Sequence, residues 1–269
     1  MLSAIRRCAL TLGLLGLLQA PVQAAESASL LASVNAQRLQ TYQLQTLFHL
    51  LSLEEGAASV AAQLQTSAQQ FAQQFAQQFE RLDELSAGQG LDAEAAALQL
   101  EARRFQQLAL SNEVLSQGFV DLHTQSELSA SGAALSQGYG NLLSKLQAQG
   151  QSSDSLQEQA ILMQQIAAGY VRETSSLDGG GAIYDNARDL ELPVDKLALQ
   201  FRQQLSALDQ QYAGQTAVEQ RLQKVASNWK YIEKSLLNYK EKAVPLVVVR
   251  CSDKIVANLT APAQIEPRD

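Results

Sequence analysis

Apolar residues recur along most of this chain at steps of three and four, the period of a helix with one face toward a core. Over residues 27–54 the series is Leu30, Val34, Gln37/Arg38, Thr41, Leu44, Phe48 and Leu51, with Gly56 placed to terminate the helix in the left-handed region. Residues 57–86 predict a second helix built on a tandem repeat: Ala68-Gln-Gln-Phe71, Ala72-Gln-Gln-Phe75, Ala76-Gln-Gln-Phe79. A four-residue step turns a helix by about 400°, so successive Phe side chains drift by only about 40°. Phe71, Phe75 and Phe79 therefore form one oblique ridge, continued by Leu82 and Leu85. A disordered glutamine tract is the competing reading, and the regular Phe stripe argues against it.

Gly88-Gln-Gly90 breaks the pattern, Asp92 offers an N-cap, and the helical period then runs to about Gln149. Gly118, Gly132, Gly138 and Gly140 predict either a division near residue 117 or a close helix crossing. The polar stretch Gly150-Gln-Ser-Ser-Asp154 is the best boundary and ends in a capping residue. Beyond it, residues 155–176 predict a helix carrying Leu156, Ile161, Ile166 and Tyr170, followed by an irregular stretch from Leu177 to about Leu192. Pro193 suits the first turn of the next helix, whose stripe is Leu197, Phe201, Leu205 and Leu208 and which ends at Gly214. Residues 216–240 add Val218, Leu222, Val225, Trp229, Ile232 and Leu236. After Pro245, Val248, Cys251, Ile255 and Leu259 keep the helical period, which outweighs the strand-like run Val247-Val248-Val249.

The expected fold is all-α: antiparallel helical bundles, as two tandem four-helix-like modules over residues 25–150 and 151–269. The two halves resemble each other. Each opens with a helix containing a Tyr (Tyr42, Tyr170) and continues with a Phe-led ridge, Phe79-Glu-Arg-Leu82 in one and Phe201-Arg-Gln-Gln-Leu205 in the other. This suggests an internal duplication of a unit of about 110–125 residues.

Composition agrees. The chain has 269 residues, five Pro and one Trp, and is rich in Ala, Leu and Gln, which lose little rotamer freedom in a helix. The formal charge of −7 argues against a nucleic-acid partner. Residues 1–24 carry Arg6 and Arg7, an apolar run from Cys8 to Leu18, and Val22-Gln23-Ala24, the pattern of a cleaved signal peptide. An uncleaved anchor is the alternative, but the apolar run is shorter than the ~20 residues that span a bilayer. Cleavage leaves 18 basic and 27 acidic residues, a formal −9, on a chain expected to be periplasmic or secreted, with no transmembrane segment. Its one remaining thiol, Cys251, then reads as a buried free cysteine or as half of an intermolecular bridge.

Candidate chemistry is sparse. His49 and His123 are read as having no His, Cys or carboxylate partner at metal-ligand helical spacing, and nucleophile elbows, phosphate loops and HExxH are absent, so no enzyme, metal or cofactor is expected. What stands out is the first helix, where Asn35, Arg38 and Tyr42 fall on one face. A guanidinium beside amide and phenol groups suits a carboxylate or oxyanion, and an interhelical Arg–Glu pair is the plain alternative.

The segment Arg38-Leu39-Gln40-Thr41-Tyr42-Gln43-Leu44 resembles the first periplasmic helix of nitrate/nitrite sensor kinases and of PilJ-type chemoreceptor domains, with Val34-Asn35 where that family has a small Ala-Gly pair. The resemblance implies an extracytoplasmic helical bundle in which Arg38 contacts a small anion at a dimer axis. The expected function is thus a non-enzymatic periplasmic binding or sensory accessory protein, partnered by a small anion or a membrane receptor, with a homodimer left open. The alternative is a structural or protein-interaction protein that works through its helix faces.

Overall fold

The computed structural model describes residues 12–54, 56–86, 91–111, 122–179, 192–241 and 243–261, without the side chains of 12–29, 78–86, 122 and 176–179. The described residues form eight helices and no strand. In chain order these are α1 (Leu12–Leu53), α2 (Ala58–Ser86), α3 (Asp92–Ala109), α4 (Leu122–Ala148), α5 (Ser155–Gly179), α6 (Val194–Gln211), α7 (Thr216–Leu237) and α8 (Pro245–Thr260). The all-α expectation holds, including the helical reading of Val247-Val248-Val249.

The punctuation follows local chemistry. Gly56 (φ 79°) and Gly214 (φ 88°) take the left-handed conformation that ends α1 and α6, a region open to glycine because it has no Cβ. Asp154 caps α5, its carboxylate accepting the backbone N–H of Leu156 at 3.0 Å. Two expected starts shift by a residue. Asp92 is the first helical residue of α3 and Leu91 takes the cap position, while Pro193 caps α6 instead of sitting in its first turn. α1 also begins earlier than its apolar series suggests, running unbroken from Leu12 through Ala24. Phe79, Leu82 and Leu85, the division near residue 117, and the stretch 180–191 lie outside the described side chains or residues.

Successive helices pack against each other from α1 to α4 and again from α5 to α8, and the neighbours close two rings. α1 touches α2 and α4, with α3 between those two; α5 touches α6 and α8, with α7 between them. The rings are joined where α1 lies against α5, the most extensive helix contact in the molecule. The contact is parallel: Asn35, Arg38 and Thr46 of α1 meet Ser153, Glu158 and Gln164 at and after the start of α5, both numbers rising together. Topology accounts for this direction. Four antiparallel passes return the chain to the end where it began, so α5 sets off alongside α1 and in the same sense.

One apolar cluster runs through both rings, from Leu30, Phe48 and Phe71 to Trp229, Val248 and Leu259. Phe71 meets Phe75 at 5.6 Å and Phe105 of α3 at 6.3 Å between ring centroids, so the described part of the aromatic ridge faces inward. In α4, glycine allows close approach at two points. A Cβ on Gly132 would lie 1.6 Å from Nε2 of buried Gln45, and one on Gly138 would lie 2.6 Å from Leu98. The tyrosines that led each half do equivalent work. Tyr42 accepts a hydrogen bond from Ser136 of α4 at 3.0 Å, and Tyr170 accepts one from the backbone N–H of Val244 at the head of α8 at 2.9 Å. Each ties the first helix of its ring to the last.

Trp229 is buried and stacks on Phe201 with 4.4 Å between ring centroids. Truncating Trp229→Ala removes that contact and leaves a cavity between α6 and α7, so urea denaturation followed by circular dichroism should show a loss of about 3–5 kcal/mol. A loss below about 1 kcal/mol would mean that α7 does not hold the core through this face.

Candidate functional site

Because α1 and α5 have neighbours on several sides, polar residues of both helices are enclosed along with the apolar ones. Asn35, Thr41, Gln45, Thr46 and His49 of α1 and Gln159, Gln164 and Thr174 of α5 are all buried. Buried polar groups need partners, and here many find them across the seam or in their own helix. Gln164 donates to Thr46 Oγ1 at 3.1 Å, and Gln159 donates to the backbone carbonyl of Phe201 in α6 at 2.9 Å. Thr41 and Thr174 each donate to the carbonyl four residues earlier, at 2.9 Å in both cases.

The structure brings two of the three expected site residues together and turns the third away. Nη1 of Arg38 donates to Asn35 Oδ1 at 3.0 Å and lies 2.9 and 3.0 Å from the two carboxylate oxygens of Glu158. Asn35 in turn donates to Ser153 Oγ at 3.5 Å, just before the cap of α5. Tyr42 belongs elsewhere. Its ring packs with Leu39, Ile161 and Ala168, and its hydroxyl reaches Ser136. Arg38 thus meets a carboxylate, as a planar guanidinium should, and the carboxylate is the protein's own. The Arg38 side chain keeps 22% exposure and that of Glu158 36%, so the pair sits at the mouth of the seam rather than inside it.

Deeper in, burial and charge set the behaviour of two titratable groups. His49 is enclosed at the seam, edge-on to the Phe48 ring at 5.3 Å between ring centroids, and its Nδ1 has no hydrogen-bond partner. Desolvation, with the positive charge of Arg172 adding to it, lowers its pKa from 6.5 to about 3. Tyr139 of α4 is pushed well above the usual phenol range by burial, against the opposing influence of Thr41 and of the Arg38 charge. His123, by contrast, is exposed, with Nε2 3.7 Å from Glu127 one turn along α4, so contrary to expectation this histidine does have a carboxylate at helical spacing. Among the described residues no group of three His, Cys, Asp or Glu side chains could hold a metal ion. Cys251 is a free, buried thiol whose pKa burial raises.

An open cleft of about 440 Å³ lies at the end of the α5–α8 ring, lined by Asp154, Tyr212, Arg221 and Leu259 among others. None of Asn35, Arg38 and Tyr42 borders it. Its guanidinium, that of Arg221, donates to the carbonyl of Ala261. Comparison with family models, with curated proteins and with solved structures finds no match.

The state of His49 has a measurable consequence. Between pH 6.5 and about 3 the unfolded chain binds a proton at His49 that the folded chain excludes, so this residue makes the fold less stable as pH falls through that window. The expected slope is about 1.4 kcal/mol per pH unit, taken as the difference between the wild type and His49→Gln in urea titrations at several pH values. Identical slopes for the two proteins would mean that water reaches the imidazole.

Proposed function

We propose that this chain is a non-enzymatic, exported helical-bundle protein that works through its outer faces, with Arg38, Asn35 and Tyr42 serving as structural ties between its helices. The observation that carries this reading is the pairing of Arg38 with Glu158, which leaves the guanidinium of the candidate anion site engaged with a carboxylate of α5. The anion-sensing function implied by the resemblance to PilJ-type and nitrate-sensor bundles remains the second reading. It is favoured by the partial exposure of that same pair, since an anion able to displace Glu158 would loosen the seam.

The two readings separate in one experiment. If the pair is a tie, Arg38→Ala and Glu158→Ala each lower the unliganded melting temperature. The double-mutant cycle should then give a coupling of about 0.5–1 kcal/mol, the range for a pair still partly in water. Millimolar nitrate, phosphate or acetate leaves the wild type unshifted. If the site binds an anion, Arg38→Ala melts like the unliganded wild type and one of those anions raises the wild-type melting temperature.

Export rests on residues 1–24, with their Arg6/Arg7 start and Val22-Gln23-Ala24 ending. Mass spectrometry of the protein from a periplasmic or culture fraction should therefore find an N-terminus near Ala25. Intact Met1 on a cytosolic protein would overturn the assignment.

A further inference from the structure

Charge is distributed unevenly along the chain. Residues 25–215 hold nine Lys and Arg against 21 Asp and Glu, a formal −12, whereas residues 216–254 hold eight against four, a formal +4. That basic segment is α7, α8 and the turn between them. α7 lies across its ring from α5, and α5 is the helix that meets α1, so α7 is on the side of the molecule away from the other ring.

The outward face of α7 is basic because of how its carboxylates are used. Its apolar stripe, Leu222, Val225, Trp229, Ile232 and Leu236, is buried. Glu233 lies 3.4 Å from Arg202 of α6, and Glu219 accepts the backbone N–H of Gly214 at 2.8 Å, so both acids serve neighbours at the sides of the helix. The opposite face presents Lys224, Lys230 and Lys234, all exposed and without a salt-bridge partner among the described residues. Tyr231 stands among them at 72% exposure. The adjoining α8 adds exposed Arg250 and Lys254, and Leu246 and Val247 in its first turn are 40% and 38% exposed. The exposed carboxylates on this side are Glu241 in the turn and Asp253 in α8.

We infer that the α7–α8 face is a docking surface for an anionic lipid membrane, on which the protein lies without crossing it. Charge complementarity selects an anionic partner for this basic face of an acidic protein. The chemistry of the face then selects lipid. Lysines on flexible stems are point charges that suit a diffuse negative surface, whereas phosphate or carboxylate groups fixed in one geometry favour the arginine fork. Exposed Tyr231 on α7, and exposed Leu246 and Val247 in the first turn of the adjoining α8, give the apolar contacts that an interfacial helix places at headgroup level. No helix among the described residues is long and apolar enough to cross a bilayer, and docking of this kind requires none.

The test is co-sedimentation of the exported form of the protein, from Ala25 on, with vesicles of phosphatidylcholine, with and without phosphatidylglycerol, over a range of NaCl. Binding should require phosphatidylglycerol and weaken steeply with salt. Combining Lys224→Gln, Lys230→Gln and Lys234→Gln should weaken it by about a hundredfold, at about fivefold for each charge. These side chains are exposed, so the triple variant should keep the wild-type circular dichroism and melting temperature, which the same preparation checks. Tyr231→Ser should cause a smaller loss that salt does not alter. Equal binding to both kinds of vesicle, no binding to either, or wild-type binding by a correctly folded triple variant would overturn the proposal. Retention on a single-stranded oligonucleotide or a polyglutamate column without vesicle binding would overturn it as well, assigning the face to nucleic acid or to an acidic protein.

Discussion

Among the described helices, α1 and α5 each have three main neighbours and the others two, and this asymmetry shapes the molecule. A helix with two neighbours can bury one stripe and leave the rest polar, as α6 and α7 do. A helix packed on three sides encloses much of its circumference, including groups that bind water strongly in the unfolded chain. The cost of desolvating them is offset only where a partner waits across the interface. The parallel contact of α1 with α5 supplies several of those partners: Thr46 with Gln164, Asn35 with Ser153, and Arg38 with Glu158. Sliding one helix against the other by a turn would break all three at once, so the polar seam fixes the register of the two rings.

Apolar packing alone would be less selective. Leu, Ile and Val side chains fit one another in several registers at small differences in energy, whereas a buried amide without its partner is penalised by about 1–3 kcal/mol. Some groups at the seam do go without. Nδ1 of His49 and Oε1 of Gln159 and Gln164 have no hydrogen-bond partner. Burial, with the charge of Arg172 adding to it, keeps His49 neutral there.

The legibility of this fold follows the same division. The stripes of α6, α7 and α8 could be read directly because each buries one face, and Trp229, Phe201 and Ile255 sit where their spacing placed them. The terminators Gly56 and Gly214 and the cap Asp154 were legible for a local reason, since they act within a few residues of themselves. The partners at the candidate site were not. Asn35, Arg38 and Tyr42 share a helix face, but Glu158 stands 120 positions from Arg38 and Ser136 stands 94 from Tyr42. Which carboxylate answers a given Arg depends on the direction and register of two packed helices, and neither is encoded by periodicity. The early start of α1 and the cap at Leu91 escaped for a smaller reason, because helix ends depend on the final turn as much as on a capping side chain.

α1 and α5 thus form one cooperative unit on which both rings depend. Native-state hydrogen exchange of the intact protein tests it most directly. The slowest amides should lie in both α1 and α5, exchange with the same opening free energy, and reach the value for global unfolding. Amides of α5 that stay protected while those of α1 exchange through a separate, lower-energy opening would contradict it.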